Sequence, residues 1–347
     1  MKILGIETSC DDTAVAVVED SVNVLASVVG SQTVHEAYGG VVPELASREH
    51  LQRIYEVYSE CLKAAGVGLG ELDGIAVTHG PGLIGSLLVG LSFAKGLAYA
   101  SGLPFVGVNH LEAHLYGFAP AGLECPYPFA GLIASGGHTE IVHVRDFEDY
   151  TVLGSTIDDA AGEAFDKIGV LLGLTYPAGP ALDALASEGD PDRFSLPAVR
   201  LKSAGPYDLS FSGLKTAARR LMESVSFPPG SATTGSAARE VSGRDKADLA
   251  AAFRRRVVGD LTDKLFSAAL DAGLSRVLLA GGVARNSLLR HSVRLEGEKT
   301  GMEVVIPGPR FCSDNAAMVA GLGALKLRRG ARSSFALDAF PTMGDLA

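Results

Sequence analysis

The sequence predicts an α/β fold made of two duplicated domains that face a central cleft. A run of strand, glycine-rich loop, helix, strand and polar site occurs twice, at residues 74–114 and 276–315. A hairpin pattern, two short apolar runs around a polar turn, stands at residues 2–18 and again at 129–144. Short apolar runs bounded by turn residues read as strands, and their alternation with helices reads as α/β layering. The duplication is diffuse rather than a short-period array. The 347 residues fit two domains. These are expected at 1–127 and 128–330, with a helical insertion at about 155–245 in the second and a tail at 331–347.

The elements follow in order. Residues 2–6, 14–18 and 22–29 read as strands, and the turn 8–13 offers hydroxyls, amides and carboxylates at a strand end. Residues 43–65 read as a helix, because Leu51, Ile54, Tyr55, Tyr58, Cys61, Leu62 and Ala65 recur on one face. Gly66 and Gly68 end it. A strand at 74–77 leads into Thr78-His79-Gly80-Pro81-Gly82 and a helix at about 84–100. Gly85, Ser86, Gly90, Ser92, Ala94 and Gly96 of that helix let other backbones approach closely. A strand at 104–108 delivers Asn109 and a histidine pair.

The second copy has strands at 129–134 and 140–144 around Ser135-Gly136-Gly137-His138-Thr139. It continues with a strand at 276–279, a glycine loop at 280–286, a helix at 287–299 and a strand at 304–306; residues 311–315 open the last helix. Between the copies, residues 158–167 open a helix whose early acids compensate the dipole, and residues 210–215 cap another. Residues 228–245 are small, polar and patternless, and are expected to form a flexible surface insertion. Leu249, Phe253, Val257, Leu261 and Leu265 mark a long amphipathic helix. Its run Arg254 to Arg256 reads as a solvated face or, less often, a phosphate patch. The tail after Gly330 has no pattern and is expected to be loosely ordered.

Composition narrows the function. Hydrophobic residues make up 47% and charged residues 20%, enough for a sizeable core. The formal net charge of -10 argues against an autonomous, non-specific nucleic-acid binder. It leaves room for a nucleic acid met through a local patch or a helper subunit. The 4 cysteines have neither CxxC nor disulfide spacing and read as free thiols in a reducing compartment. Residue 1 onward enters a strand pattern directly, so no signal peptide is expected. Residues 83–103 come nearest to a membrane span, but their glycines, serines and Lys95 suit a buried helix better. The expectation is a cytoplasmic protein with no membrane partner.

His110-Leu111-Glu112-Ala113-His114 carries the most specific chemistry. Histidines four apart share one helix face and can grip one metal ion; alone, they read equally as local capping or packing. The H-E-x-x-H motif of metalloproteases puts its base directly after the first histidine. Here the glutamate is one place later, roughly 200° around the helix from His110, so the protease reading fails. The duplication raises the metal reading, because ligands of such sheets bind beyond the carboxyl ends of strands. The closing sites of both copies lie there. Asp314 can then join His110 and His114 as an oxygen ligand, although an SDNA sequence is also a usual helix cap. Glu7, Asp11 and Asp12 in the first turn are candidate general bases, or merely organise the hairpin.

The ordered set GIETSCDDT, YGGVVPELASREH, HGPGLIGSLLVG, HLEAH, SGGHTE, DDAAGEAFDK, FSGLKT, AGGVARN and CSDNAAM resembles one family. It is the tRNA N6-adenosine threonylcarbamoyltransferases, bacterial TsaD, formerly called glycoproteases. The resemblance runs over roughly residues 1–326, and the hairpins and glycine loop are similar to those of the actin, Hsp70 and sugar-kinase superfamily. It implies transfer of threonylcarbamoyl from threonylcarbamoyl-AMP to the N6 amine of the adenosine 3′ to the anticodon, in tRNAs reading codons that begin with A. AMP is released. It implies His110, His114 and Asp314 as ligands of one divalent metal, Fe2+ or Zn2+. Ile133, Ala134, Ser135, Gly136, Gly137, Asp166, Gly179, Asp183 and Asn286 would contact the adenylate or a Mg-nucleotide. Implied partners are tRNA, a shorter TsaB-like paralogue as heterodimer partner, a small TsaE-like ATPase and a separate synthase that makes the adenylate. Many relatives read Y-P-G-G-P where this chain has Tyr176-Pro177-Ala178-Gly179-Pro180, and the insertion at 228–245 is unusual. Two other readings use the same fold: an ATP-dependent small-molecule kinase, and an inactive scaffold subunit of a tRNA-modification complex. The kinase has no need of the histidine pair, and the scaffold no need of all three ligands.

Overall fold

A computed structural model describes residues 1–197, 205–226 and 241–342. The chain forms two compact units, Met1–Pro126 with Val305–Ala347, and Tyr127–Val304. Most of the expected surface insertion, residues 228–240, lies outside the described residues.

The first unit is built on a five-stranded sheet of order β3-β2-β1-β4-β5. β1 (Lys2–Glu7), β2 (Asp12–Glu19) and β3 (Asn23–Ser31) run antiparallel. β4 (Gly74–Gly80) and β5 (Phe105–Asn109) continue parallel to β1. The two-residue period of the strands sorts their side chains. Leu4, Ile6, Val15, Val17, Ile75 and Val77 pack with Ile54, Val57 and Cys61 of α1 (Pro43–Ala65) and Leu91, Ala94 and Ala98 of α2 (Ile84–Ser101). Each large aliphatic side chain so buried contributes about 1.5–3 kcal/mol. On the opposite face Gly5, Ala16 and Ala76 are small where α9 (Ala316–Arg328) lies on the sheet: a Cβ on Gly5 would run into the Ala316 carbonyl, and one on Gly323 into Ala76. Among the described residues α2 is the one helix long and apolar enough to cross a membrane. Here it packs against α1 and β4.

The second unit repeats the plan, with order β10-β9-β6-β7-β8. β6 (Phe129–Ala134), β7 (Thr139–Asp146) and β8 (Asp149–Ser155) are antiparallel, β9 (Arg276–Ala280) is parallel to β6, and β10 (Glu303–Val305) lies beside β9. Its helices are α4 (Ala161–Leu171), α5 (Gly179–Ala186), α6 (Ser212–Ser226), α7 (Gly243–Asp271) and α8 (Ser287–Thr300). The stripe Leu249, Phe253, Val257, Leu261 and Leu265 of α7 is fully buried, as its spacing predicts.

Three expectations change. β8 has no counterpart in the strand reading, since its period-2 pattern is mostly exposed. The segment from 305 onward belongs with the first unit, not with a domain at 128–330, because α9 covers β1, β2, β4 and β5. The described tail, 331–342, is fastened rather than loose. Ser333 N–H donates to the Phe105 carbonyl (2.9 Å), Ser333 Oγ accepts from Gly107 N–H (3.0 Å), and Phe340 N–H donates to the His79 carbonyl (3.0 Å).

Candidate metal centre and nucleotide cavity

β5 ends at Asn109, whose Oδ1 accepts hydrogen bonds from Leu111 N–H (2.8 Å) and Glu112 N–H (3.2 Å). This cap starts α3 (His110–Tyr116). The helix period then sets the His110 and His114 rings edge to face, 4.7 Å between centroids. Asn315 caps α9 in the same way, accepting from Met318 N–H at 3.0 Å, and Asp314 stands just before it. Asp314 Oδ1 lies 3.1 Å from His114 Nε2 and 3.6 Å from His110 Nε2. The three expected ligands are thus together, and all belong to the first unit rather than to two domains.

The other ring nitrogen of His110 is held from behind. Its Nδ1 faces Glu7 Oε2 at 3.0 Å and Ser9 Oγ at 3.2 Å. Glu7 also accepts from Thr78 Oγ1 (2.6 Å) and from Ser9 N–H (2.5 Å). Burial would push the Glu7 carboxyl up, but the charge and hydrogen bond of His110, with Thr78, hold it below its ordinary value. Burial would likewise depress His110, and the carboxylates of Glu7 and Asp314 raise it to about 9.

These residues fit a divalent metal. Donors about 2.0–2.2 Å from one ion stand roughly 2.8–3.6 Å apart, and the observed separations from Asp314 match. Two imidazoles and one carboxylate leave positions open for substrate. Glu7 stands behind His110 at Nδ1, where a carboxylate orients a ligating imidazole, and Nε2 of His110 faces Asp314. His114 Nδ1 is buried with no hydrogen-bond partner. Glu112 instead pairs with Lys326 of α9 at 3.0 Å, which agrees with the failed protease pattern.

The base candidates separate. Glu7 is fully buried and engaged by three donor residues, so it positions His110 and is withdrawn from substrate. Asp11 and Asp12 stay partly exposed on the turn, and burial raises Asp12 to about 6.

The second unit holds a cavity of about 340 Å³. Gly136, Asp166, Gly179, Asp183 and Asn286 line it, joined by Phe165, Val283 and Arg285, which the sequence reading missed. Asp166 Oδ1 accepts from Ala178 N–H (2.8 Å) and Gly179 N–H (3.0 Å), fastening the start of α5. Asp183 accepts from Asn286 Nδ2 (2.9 Å), Ser287 N–H (2.9 Å) and Arg254 Nη1 (2.8 Å). Gly281, at φ 88°, must be glycine: a Cβ there would run into the Ala134 carbonyl. The remaining expected contacts differ. Ile133 and Ala134 are fully buried in β6, so only their backbone can serve a ligand. Ser135 Oγ accepts from His138 N–H at 3.1 Å and closes the turn. Gly137 is exposed, with open space where a Cβ would stand. The Arg254 to Arg256 run divides: Arg254 is largely buried on Asp183, Arg256 pairs with Asp260, and Arg255 keeps the expected solvated position beside exposed Asp192.

Two sheets of one strand order, a His-His-Asp group that could hold a metal and a glycine-walled cavity define a duplicated α/β protein. Solved structures agree on the fold. HypF from T. kodakarensis is similar at TM-score 0.60 and 17% identity, over 94% of this chain and 48% of that one. Component A of the (R)-2-hydroxyglutaryl-CoA dehydratase of Acidaminococcus fermentans is similar at TM-score 0.55 and 16% identity, over 94% of this chain and 99% of that one. Residues 23–321 match the family described as TsaD, tRNA N6-adenosine threonylcarbamoyltransferase. The tRNA N6-adenosine threonylcarbamoyltransferase of Geobacter sulfurreducens is 48% identical over 340 residues, 98% of this chain and 96% of its own. That of Thermodesulfovibrio yellowstonii is 48% identical over 98% of both. The chain belongs to the tRNA N6-adenosine threonylcarbamoyltransferase family.

Proposed function

We propose that the chain transfers threonylcarbamoyl from threonylcarbamoyl-AMP to the N6 amine of the adenosine 3′ to the anticodon, in tRNAs that read codons beginning with A. The observation that carries this reading is the intact His110, His114 and Asp314 group in a chain near half identical, end to end, to relatives of that name. The amine nitrogen attacks the carbamoyl carbon, the bond from that carbon to the phosphate oxygen breaks, and AMP leaves as the amine loses its proton. His110, His114 and Asp314 would hold one divalent metal, Fe2+ or Zn2+, which when bound supplies Lewis acidity toward the donor's oxygens. Glu7 orients His110. Amides of the Gly136–Gly137 turn face a phosphate, while Asp183 and Asn286 take the adenosine side of a Mg-nucleotide or adenylate.

Partners follow from the surface and the family. Leu51 and Tyr55 of α1 and Leu88 of α2 are exposed on two helices that pack together, Gly85 meeting Ser47 and Phe93 meeting Tyr58. That apolar patch fits a shorter paralogue. Lys215, Arg219 and Arg220 of α6 are exposed to meet tRNA phosphates. A net charge of -10 favours loading with help from that paralogue and a small ATPase, the adenylate coming from a separate synthase in the same cytoplasm. The test combines the chain, threonylcarbamoyl-AMP and unmodified tRNA, with and without those partners, and reads nucleosides by mass spectrometry. Threonylcarbamoyladenosine in the tRNA is expected. Unmodified tRNA with the full set, together with ATP-dependent phosphorylation of a small molecule, would favour the kinase instead.

A further inference from the structure

Glu112 sits between two proposed metal ligands, yet it faces the other way. α3 and α9 run antiparallel. At one end Glu112 pairs with Lys326 at 3.0 Å; near the middle Tyr116 lies against Gly321; at the other end Gly117 approaches the Phe311 carbonyl and His114 meets Asp314. A Cβ on Gly321 would stand 3.3 Å from the Tyr116 ring, so the two helices are already as close as glycine allows. Both charged side chains are largely covered, 18% exposed for Glu112 and 11% for Lys326. α3 has 7 residues, too few to hold its own orientation by helix propensity. Its contacts with neighbours must therefore set where His110 and His114 point.

We propose that Glu112 is a positioning residue: its ion pair with Lys326 fixes the rotation and register of α3 against α9, and so keeps both histidines at ligand distance from Asp314. Along a helix each residue turns about 100°, so Glu112 and Tyr116 share the face toward α9 while His110 and His114 share the face toward the metal. A carboxylate on the first face restrains the second. Loss of the contact between Glu112 and Lys326 removes this restraint, and a helix of 7 residues can then roll or slide against α9. The inference rests on the metal reading of the triad.

The test uses the full chain and Co2+ alone, followed by chelator competition and by visible absorption of the bound ion. E112Q, K326Q and the double variant complete a cycle with the unaltered chain. Each single variant is expected to bind Co2+ about tenfold more weakly, the scale typical of residues that support ligands from behind. Altered ligand-field bands should accompany this. The double variant should be no weaker than either single, because the two side chains act as one unit. Unchanged affinity and bands in E112Q would overturn the proposal, as would additive losses in the double variant. If the unaltered chain binds no Co2+, the metal reading falls and this proposal falls with it. If that chain binds Co2+ and E112Q matches it, the positioning role alone fails.

Discussion

Glu7 and Ala134 occupy the same place in the two units. Each is the last residue of the first strand of its hairpin, paired with Ala14 and Thr139 respectively. In the first unit that place carries a buried carboxylate that grips His110. In the second it carries a methyl group, and its carbonyl is closely approached by Gly281 of the glycine loop. The backbone plan is common to both, so the chemistry is decided by single residues at strand ends. The copies differ again after the fifth strand. β5 runs straight into the histidine helix, whereas the chain after β10 passes through Asp314 into a helix that returns to the first sheet. One duplicated pattern thereby gives all three proposed ligands to one unit and leaves the other with a cavity.

Breaking the metal side should have the largest effect. His114→Ala removes a proposed ligand, and bound metal should fall from one per chain toward none by elemental analysis. Transfer to tRNA should drop by about a hundredfold or more. Retained stoichiometry would remove His114 from the centre. In the second unit, Gly281→Ala forces a side chain into a left-handed backbone against the Ala134 carbonyl. A loss of about 1–3 kcal/mol in thermal unfolding is expected. Gly137→Val, with open space around it, should leave stability within about 0.5 kcal/mol while weakening nucleotide binding by calorimetry. Equal effects at both glycines would erase the distinction between a packing and a ligand-facing residue.

Smaller changes sharpen the contrast. Glu7→Gln keeps the shape but removes the charge behind His110, so metal affinity should fall about tenfold with little change in nucleotide binding. The first unit also buries His50, whose Nε2–H donates to the Cys10 carbonyl at 2.9 Å while Thr13 Oγ1 lies 2.7 Å from Nδ1. Burial holds His50 below the ordinary 6.5. The unfolded chain then takes up the proton first, so this contribution to stability is present above pH 6.5 and is lost as pH falls through the folded value. Denaturant unfolding of His50→Gln between pH 7 and 5 should show a shallower acid loss than the parent chain. An identical slope would exclude His50 as its source.

Much of this was legible in the sequence. The helix 43–65 and the strand 129–134 appear with the expected bounds, because glycines and polar turns mark their ends. The histidine pair and Asp314 were readable from local spacing and from the repeat. What sequence could not convey was which sheet the last helix covers, since Gly5 and Gly323 signal close packing without naming the partner. Nor could it separate the three carboxylates of the first turn. Glu7 differs from Asp11 and Asp12 largely through Thr78 and His110, more than 70 positions away. Arg254 carried no signal of its own, because an arginine beside an apolar stripe reads as solvated until Asp183 is brought against it.

The most direct test of a metal centre built wholly within the first unit is anomalous X-ray scattering from crystals of the chain grown with Zn2+ or, without oxygen, Fe2+. One peak is expected among His110 Nε2, His114 Nε2 and Asp314 Oδ1, at about 2.0–2.2 Å from each, with none in the cavity lined by Asp183 and Asn286. A peak elsewhere, or none with the metal in excess, would contradict it.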